Sequence, residues 1–397
     1  MTSRNIDYSI LFNKDLPSPS GRWHGHPKYN FVGGHSDPKL VPMDRFIESA
    51  ANVFKGDPRN IAMYNYEGGP QGILTLRSFL ARKLAAERGI HITTDEILIT
   101  SGSGQGIELI NEILLDAGDT VIVESFTFSG ALSNLRRRGV NLVGVDVDQK
   151  GIRMDHLKDI LEDLRTNGIR PKYIYTIPTL QNPTGTVMTM ERRYQLINLS
   201  EEYEVPIFED ECYADLIFEG EYEKAIRALD DSNQVLHIGS FSKSLGPGIR
   251  LGYVVASWDV MSRLISRKND AGTGVMDQMI VGDYFSNHYD EHIQDMRSAL
   301  KRKCDVLSAA LREHFGPLVD FEEPRGGMYL WVKLPSGIDS RDMVQAALEE
   351  GVAYNPGPDW SADPDAAANY IRLCFALPNE NEIWEGIEKL AKVFQLE

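Results

Sequence analysis

Between about residue 72 and residue 256 the chain alternates short apolar, β-branched runs with amphipathic helical stretches, and this alternation restricts the possible folds more than any other feature. The runs are Ile97-Leu98-Ile99-Thr100, Thr120-Val121-Ile122-Val123, Tyr173-Ile174-Tyr175-Thr176-Ile177, Val205-Pro206-Ile207-Phe208 and Val235-Leu236-His237-Ile238. Apolar strands separated by helices imply a mostly parallel sheet covered on both faces, an α/β architecture. Such sheets bind ligands at the carboxyl ends of their strands. From Val281 to Phe315 the pattern becomes a long helical tract. It is followed by strand-like runs at Gly327-Met328-Tyr329-Leu330-Trp331-Val332 and Tyr370-Ile371-Arg372-Leu373-Cys374, which read as a smaller α+β unit. The first 40 or so residues are rich in Pro, Gly, Ser and His. They suit a segment packed across a cleft better than an independent core.

A chain of 397 residues can bury a large core in two or three structural units. The net charge of -17 argues against nucleic acid or an anionic membrane surface as partner, because both select clustered Lys and Arg. No run approaches the roughly 18 to 20 uncharged apolar residues of a membrane span, and the opening Met1-Thr2-Ser3-Arg4 lacks a signal-peptide core. A cytoplasmic location is therefore expected. Cys212, Cys304 and Cys374 are widely spaced, odd in number and free of CxxC pairing, so neither a disulfide framework nor a zinc site is indicated.

The chemistry concentrates after the strands. In Ser240-Phe241-Ser242-Lys243-Ser244-Leu245-Gly246-Pro247-Gly248-Ile249-Arg250, a lysine stands among small hydroxyls and glycines, seven residues ahead of an arginine. A lysine whose neutral amine is favoured by burial or positive surroundings forms a Schiff base with an aldehyde, while Ser240, Ser242 and Arg250 supply donors for a phosphate. A solvated loop lysine is the alternative for Lys243 taken alone. Ser101-Gly102-Ser103-Gly104-Gln105-Gly106 follows the first strand and opens a helical pattern, a second candidate phosphate cradle. Ile107 occupies the place of the third glycine of a dinucleotide fingerprint, which disfavours a dehydrogenase.

Asp210, at the end of an apolar strand, is costly to bury unless it meets a cation such as a protonated pyridine nitrogen, although it could also cap a helix. Asn182 lies in Gln181-Asn182-Pro183-Thr184-Gly185, where its amide could reach a ring oxygen. Phe128 could stack on an aromatic ring or fill the core. Arg372, inside an apolar run, requires an anion: either a substrate carboxylate or a structural Asp or Glu.

Together these motifs resemble the class I/II, fold type I aminotransferases that use pyridoxal 5'-phosphate, in the branch of 2-aminoadipate-type and other broad-specificity enzymes. That branch also supplies the catalytic half of certain bacterial regulators. Gly72-Ile73-Leu74-Thr75-Leu76-Arg77, Pro324-Arg325-Gly326-Gly327-Met328-Tyr329 and Asn355-Pro356-Gly357 extend the resemblance over nearly the whole chain. It implies a mostly parallel seven-stranded sheet between helices with a smaller α+β domain. The corresponding divisions are an N-terminal segment over the active site (1–45), a large cofactor-binding domain (46–280) and a small domain (281–397).

Carried over by the resemblance, Lys243 forms the internal aldimine and moves the proton, Asp210 holds the pyridinium, and Asn182 and Tyr213 bond the phenolic oxygen. Ser103, Gly104, Gln105, Ser240, Ser242 and Arg250 bind the phosphate, Phe128 stacks on the ring, and Arg372 with Gly34 holds the substrate carboxylate. Tyr66, or alternatively Tyr64, reaches the phosphate of the other subunit, which implies a homodimer with shared active sites. In two places the chain departs from the family pattern: Glu124-Ser125-Phe126-Thr127-Phe128 lacks the usual proline, and Gly34-His35 places a histidine near the substrate path. His35 is either a general acid or base or a hydrogen-bonded loop residue. Arg22, in a segment dense in cationic and aromatic residues, is expected to meet a polar or acidic substrate side chain.

The implied reaction moves an amino group from an L-α-amino acid to a 2-oxo acid through a pyridoxamine intermediate. The same residues support lyase, replacement, cyclisation or oxidation chemistry, because the cofactor stabilises any carbanion at the α-carbon. A ligand-sensing regulator of the same fold would carry a basic DNA-binding segment ahead of this region, and none is expected here.

Overall fold

The apolar runs assemble into a seven-stranded sheet in a computed structural model that describes residues 6–394 apart from Lys14, Asp15, Pro17, Ser18 and His24. Across the sheet the order is Ile97–Thr100, Gly252–Val255, Val235–Ser240, Ile207–Asp210, Ile174–Thr176, Thr120–Glu124 and Asn141–Val145. Gly252–Val255 is antiparallel to both neighbours, and the remaining pairings are parallel. Strands such as Ile97–Thr100 and Val235–Ser240 are buried along their whole length, as coverage on both faces requires. Each fully buried Val, Ile or Leu contributes about 1.5–3 kcal/mol relative to exposure.

Two strands were not singled out by the sequence pattern. Asn141–Val145 is a partly exposed edge, and Gly252–Val255 returns directly after the lysine loop. The lysine loop thus connects two adjacent antiparallel strands, so both its ends are fixed by sheet hydrogen bonds.

The long helical tract begins earlier than its apolar pattern indicates, at Val275 after Gly274, and runs to His314. The boundary expected at residue 280 therefore lies inside a continuous helix. Beyond it, Tyr329–Lys333, Tyr370–Cys374 and Asn355–Pro356 form a three-stranded antiparallel sheet, and helix Glu380–Phe394 packs on the long helix. Tyr29–Asn30 pairs in parallel with Val352–Ala353, which attaches the N-terminal segment to this second unit. Among the described residues no helix is long and apolar enough to cross a membrane.

Candidate active site

A cavity of about 410 Å³ opens where the carboxyl ends of the strands meet the second unit. Lys243, Asp210, Tyr213, Ser103, Gly104, Phe128, Ser240, Ser242, Arg250, Arg372 and Gly34 all line it. These residues come from nearly the full length of the chain.

The anion-binding components arise from local geometry. Gly102 has φ +76°, and a side chain on it would stand 2.9 Å from Arg250 Nη2, so this turn into helix Ser103–Leu114 requires glycine. The free N–H groups at that helix start favour negative charge. Arg250 also sits in the left-handed region, at φ +54°, and donates through Nη2 to the Ser101 carbonyl at 3.2 Å. Such a conformation costs a non-glycine residue about 1–2 kcal/mol. Here it directs a guanidinium to the helix start. The Ser242 amide donates to Ser240 Oγ at 3.1 Å, which fixes the first hydroxyl of the lysine loop.

Strand alternation separates three consecutive carboxylates. Glu209 is paired with His237 Nδ1 at 2.8 Å, and Glu211 accepts from Arg88 Nη2 at 2.7 Å and Thr179 Oγ1 at 2.8 Å. Asp210 between them faces the cavity. It accepts from the Tyr175 hydroxyl at 2.7 Å and the Cys212 amide at 3.2 Å, and among the described residues no cation pairs with it. Burial raises the Asp210 carboxyl above the usual range, against the lowering effect of these hydrogen bonds.

Arg372 is 2% exposed and no carboxylate among the described residues pairs with it. It lies 3.6 Å from the Trp360 ring centre and 3.9 Å from that of Tyr329. Its Nη1 donates to Asn182 Oδ1 at 3.1 Å, its Nη2 to Asn355 Oδ1 at 2.7 Å and to the Gly33 carbonyl at 2.8 Å. Among the described residues its buried Nε has no partner, and neither has Trp360 Nε1. Arg372 therefore makes no structural ion pair among the described residues. Asn182 passes the network on, donating to the Tyr213 hydroxyl at 2.9 Å. Burial, followed by the neighbouring Tyr329, pushes the Tyr213 phenol well above its ordinary pKa. Lys243 Nζ donates to the Gly34 carbonyl at 3.3 Å. A side chain at Gly34 would collide with Lys243 Nζ and the Tyr329 hydroxyl.

Asn182 is fully buried behind the cavity lining, and four further sequence-predicted positions also lie outside that lining. Gln105 does not line the cavity: its Oε1 accepts from the Ser101 amide at 2.8 Å and its Nε2 donates to Asp270 at 2.7 Å, so its side chain is occupied in bracing the turn. Arg22 is exposed and is not among the lining residues, while Ser18 and His24 of the same segment lie outside the described residues. Tyr66 and Tyr64 border a separate cavity of about 390 Å³, with Tyr66 under the Arg59 guanidinium at 4.6 Å. His35 is folded over Gly33 with its ring edge-on to His26 at 5.4 Å. Burial, then the charges of His26 and Lys243, lower its pKa.

Tyr329, Trp360 and Asn355 line the cavity without having been assigned a site role from sequence, and Tyr175 supports it from beneath Asp210. Their signal is weak because it is long-range: an Asn-Pro-Gly turn and an aromatic strand acquire meaning only once the second unit folds against the first.

Anion donors, a buried carboxylate and a primary amine thus share one cavity, and the chain belongs to the class I and II aminotransferase family, whose model matches residues 39–390. It is 34% identical over 371 residues to an aromatic-amino-acid aminotransferase of Thermococcus litoralis, covering 93% of this chain and 88% of that protein. It is 29% identical over 371 residues to a 2-aminoadipate transaminase of Thermus thermophilus, covering 92% and 90% of the two. The crystal structure of Pyrococcus horikoshii kynurenine aminotransferase, in complex with PMP, superposes with a TM-score of 0.90 at 32% identity over 98% of each chain.

The chain is a pyridoxal-phosphate-dependent aminotransferase of fold type I. Its cavity suits that group by its own chemistry, with anion donors, a primary amine and a buried carboxylate that no cation among the described residues pairs with.

Proposed function

We propose that this aminotransferase performs both half-reactions in the Lys243 cavity, with Arg372 holding the α-carboxylate of the amino acid or 2-oxo acid. Arg372 carries this reading. A buried guanidinium that, among the described residues, has no carboxylate and an unpartnered Nε, and that lies within 4 Å of two aromatic ring centres, is arranged to receive one. Bound pyridoxal phosphate supplies an aldehyde and an electron-withdrawing ring that stabilises negative charge at the substrate α-carbon.

The chain's own residues do the rest. Ser103, Gly104, Ser240, Ser242 and Arg250 bind the phosphate. Asp210 keeps a proton on the ring nitrogen, and Asn182 and Tyr213 hold the phenolic oxygen. Phe128 covers the ring. Lys243 Nζ would anchor the cofactor through its aldehyde carbon, and would then take the proton from the substrate α-carbon and deliver it to that former aldehyde carbon, which keeps the transferred nitrogen.

The test is a single-turnover experiment with the cofactor-loaded enzyme and one amino acid at a time. With a true donor and no acceptor, about one 2-oxo acid is released per site before the reaction stops, and 2-oxoglutarate restarts it. Continuous turnover without an acceptor would instead assign lyase, replacement or cyclisation chemistry.

The active unit in this reading is a homodimer. Met43, Ile47, Phe54, Ile61, Met63 and Tyr64 are each more than half exposed, on helix Met43–Val53 and the segment that follows it. An apolar surface of this kind favours association with a second copy. Tyr66 beside it would then reach the partner's phosphate. Light scattering is expected to give twice the chain mass. Ile47→Asp with Met63→Asp should shift the protein toward monomer and weaken pyridoxal phosphate binding about tenfold or more. A double variant that stays dimeric would remove this surface from the interface.

A further inference from the structure

We propose that Glu124 is a positioning residue of this site, acting through Gln181 and Thr127 on the two segments that carry Asn182 and Phe128. The inference rests on the reading above, in which Asn182 and Phe128 touch the cofactor. Glu124 ends the Thr120–Glu124 strand and is 1% exposed. Among the described residues no cation pairs with it. A carboxylate buried without a cation is normally excluded from a core, so its hydrogen bonds must account for it.

Those bonds converge from three segments. Thr176 Oγ1 donates to Oε1 at 2.6 Å, the Ile177 amide at 3.3 Å, Gln181 Nε2 to Oε2 at 2.8 Å, and Thr127 Oγ1 to Oε2 at 3.4 Å. Gln181 is itself saturated. Its Nε2 also donates to the Phe126 carbonyl at 2.6 Å, and its Oε1 accepts from the Thr184 amide at 2.8 Å and hydroxyl at 2.7 Å. One carboxylate therefore ties the 126–128 loop to the 180–184 turn.

The turn needs that support. Leu180, directly before Gln181, has φ +54°, a backbone conformation that a leucine resists. Asn182 follows at once, and its two amide atoms meet Tyr213 and Arg372. A small displacement of Gln181 would move both contacts. On the other side Thr127 precedes Phe128, so the same displacement reaches the ring face. An amide in place of the Glu124 carboxylate would turn an N–H₂ toward one of these donors. The bond lost there would loosen one segment from the other.

Glu124→Gln and Gln181→Ala, singly and together, test this on the full-length protein titrated with pyridoxal phosphate. The readouts are the cofactor's dissociation constant, the visible circular dichroism of the bound cofactor, and the melting temperature without it. Each single variant is expected to weaken cofactor binding about tenfold, the effect of losing one buried hydrogen bond, and to change the visible dichroism. The double variant should be within about twofold of the weaker single, because both changes break one linkage.

Losses that multiply in the double variant would overturn the inference, as would melting points that fall while binding and dichroism stay unchanged. If Glu124→Gln does not fold, Gln181→Ala decides alone: unchanged binding and dichroism would refute the link. A wild-type protein that fails to bind pyridoxal phosphate would overturn the underlying reading instead.

Discussion

Lys243→Ala is expected to lose the visible absorption of the protein-linked cofactor and to reduce transamination by about 10⁴-fold, the upper end of what a positioned acid–base group supplies. Lys243 is the only lysine among the residues that line the cavity, so no second amine is placed to substitute. The same variant should still bind pyridoxal phosphate. The helix start at Ser103 and Gly104, the two serine hydroxyls and Arg250 do not depend on the lysine for their geometry. Retained binding with lost turnover separates loss of chemistry from loss of fold, and is read by dialysis and phosphate analysis alongside kinetics. A Lys243→Ala protein that kept its absorption band and its turnover would show that another amine does the work. One that bound no cofactor at all would show that the covalent link, rather than the anion donors, supplies the affinity.

The parts of the fold that sequence revealed are those whose burial is complete. Ile97–Thr100 and Val235–Ser240 are apolar on both faces because helices cover both, and a continuous apolar run says so directly. Asn141–Val145 pairs on one side only, so its residues are mixed and its pattern is ambiguous. The site divides in the same way. Residues at strand ends were legible because small and charged side chains interrupt apolar runs there. Arg372 was legible as a buried cation, but only the absence of a neighbouring carboxylate and the two rings against it decide between a structural and a binding role. Gln105 shows the opposite limit. Its place in a glycine-rich turn pointed to phosphate, whereas Ser101 and Asp270 claim both ends of its amide. Asn355 and Trp360 reach the cavity from a short strand and the helical turn after it, far along the chain. No local spacing connects them to Phe128 or Lys243.

Asp210→Asn is expected to lower turnover by about 10²- to 10³-fold while making the cofactor-free protein more stable. The two effects share one cause. In the cofactor-free protein the Asp210 carboxylate is buried without a cation, and its pKa is raised chiefly by burial. A carboxyl whose folded pKa exceeds its unfolded value binds more protons folded than unfolded between the two. Stability contributed by its neutral form is therefore present below the unfolded value and falls as pH rises through the folded one. Asparagine keeps an oxygen for the Tyr175 hydroxyl and gives up the acceptor of the longer Cys212 amide bond, a smaller loss than the charge it no longer has to bury. The melting point of the cofactor-free variant should exceed that of wild type at pH 8, and the gap should close toward pH 4. With the cofactor bound the sign is expected to reverse, because in the proposed reading the carboxylate would pair with a protonated ring nitrogen, and removing one partner of a buried ion pair costs about 3–5 kcal/mol. Melting curves at several pH values, with and without pyridoxal phosphate, read both halves. A variant that is less stable than wild type without cofactor at pH 8, yet fully active, would mean that Asp210 is a structural carboxyl and that the ring nitrogen is held elsewhere.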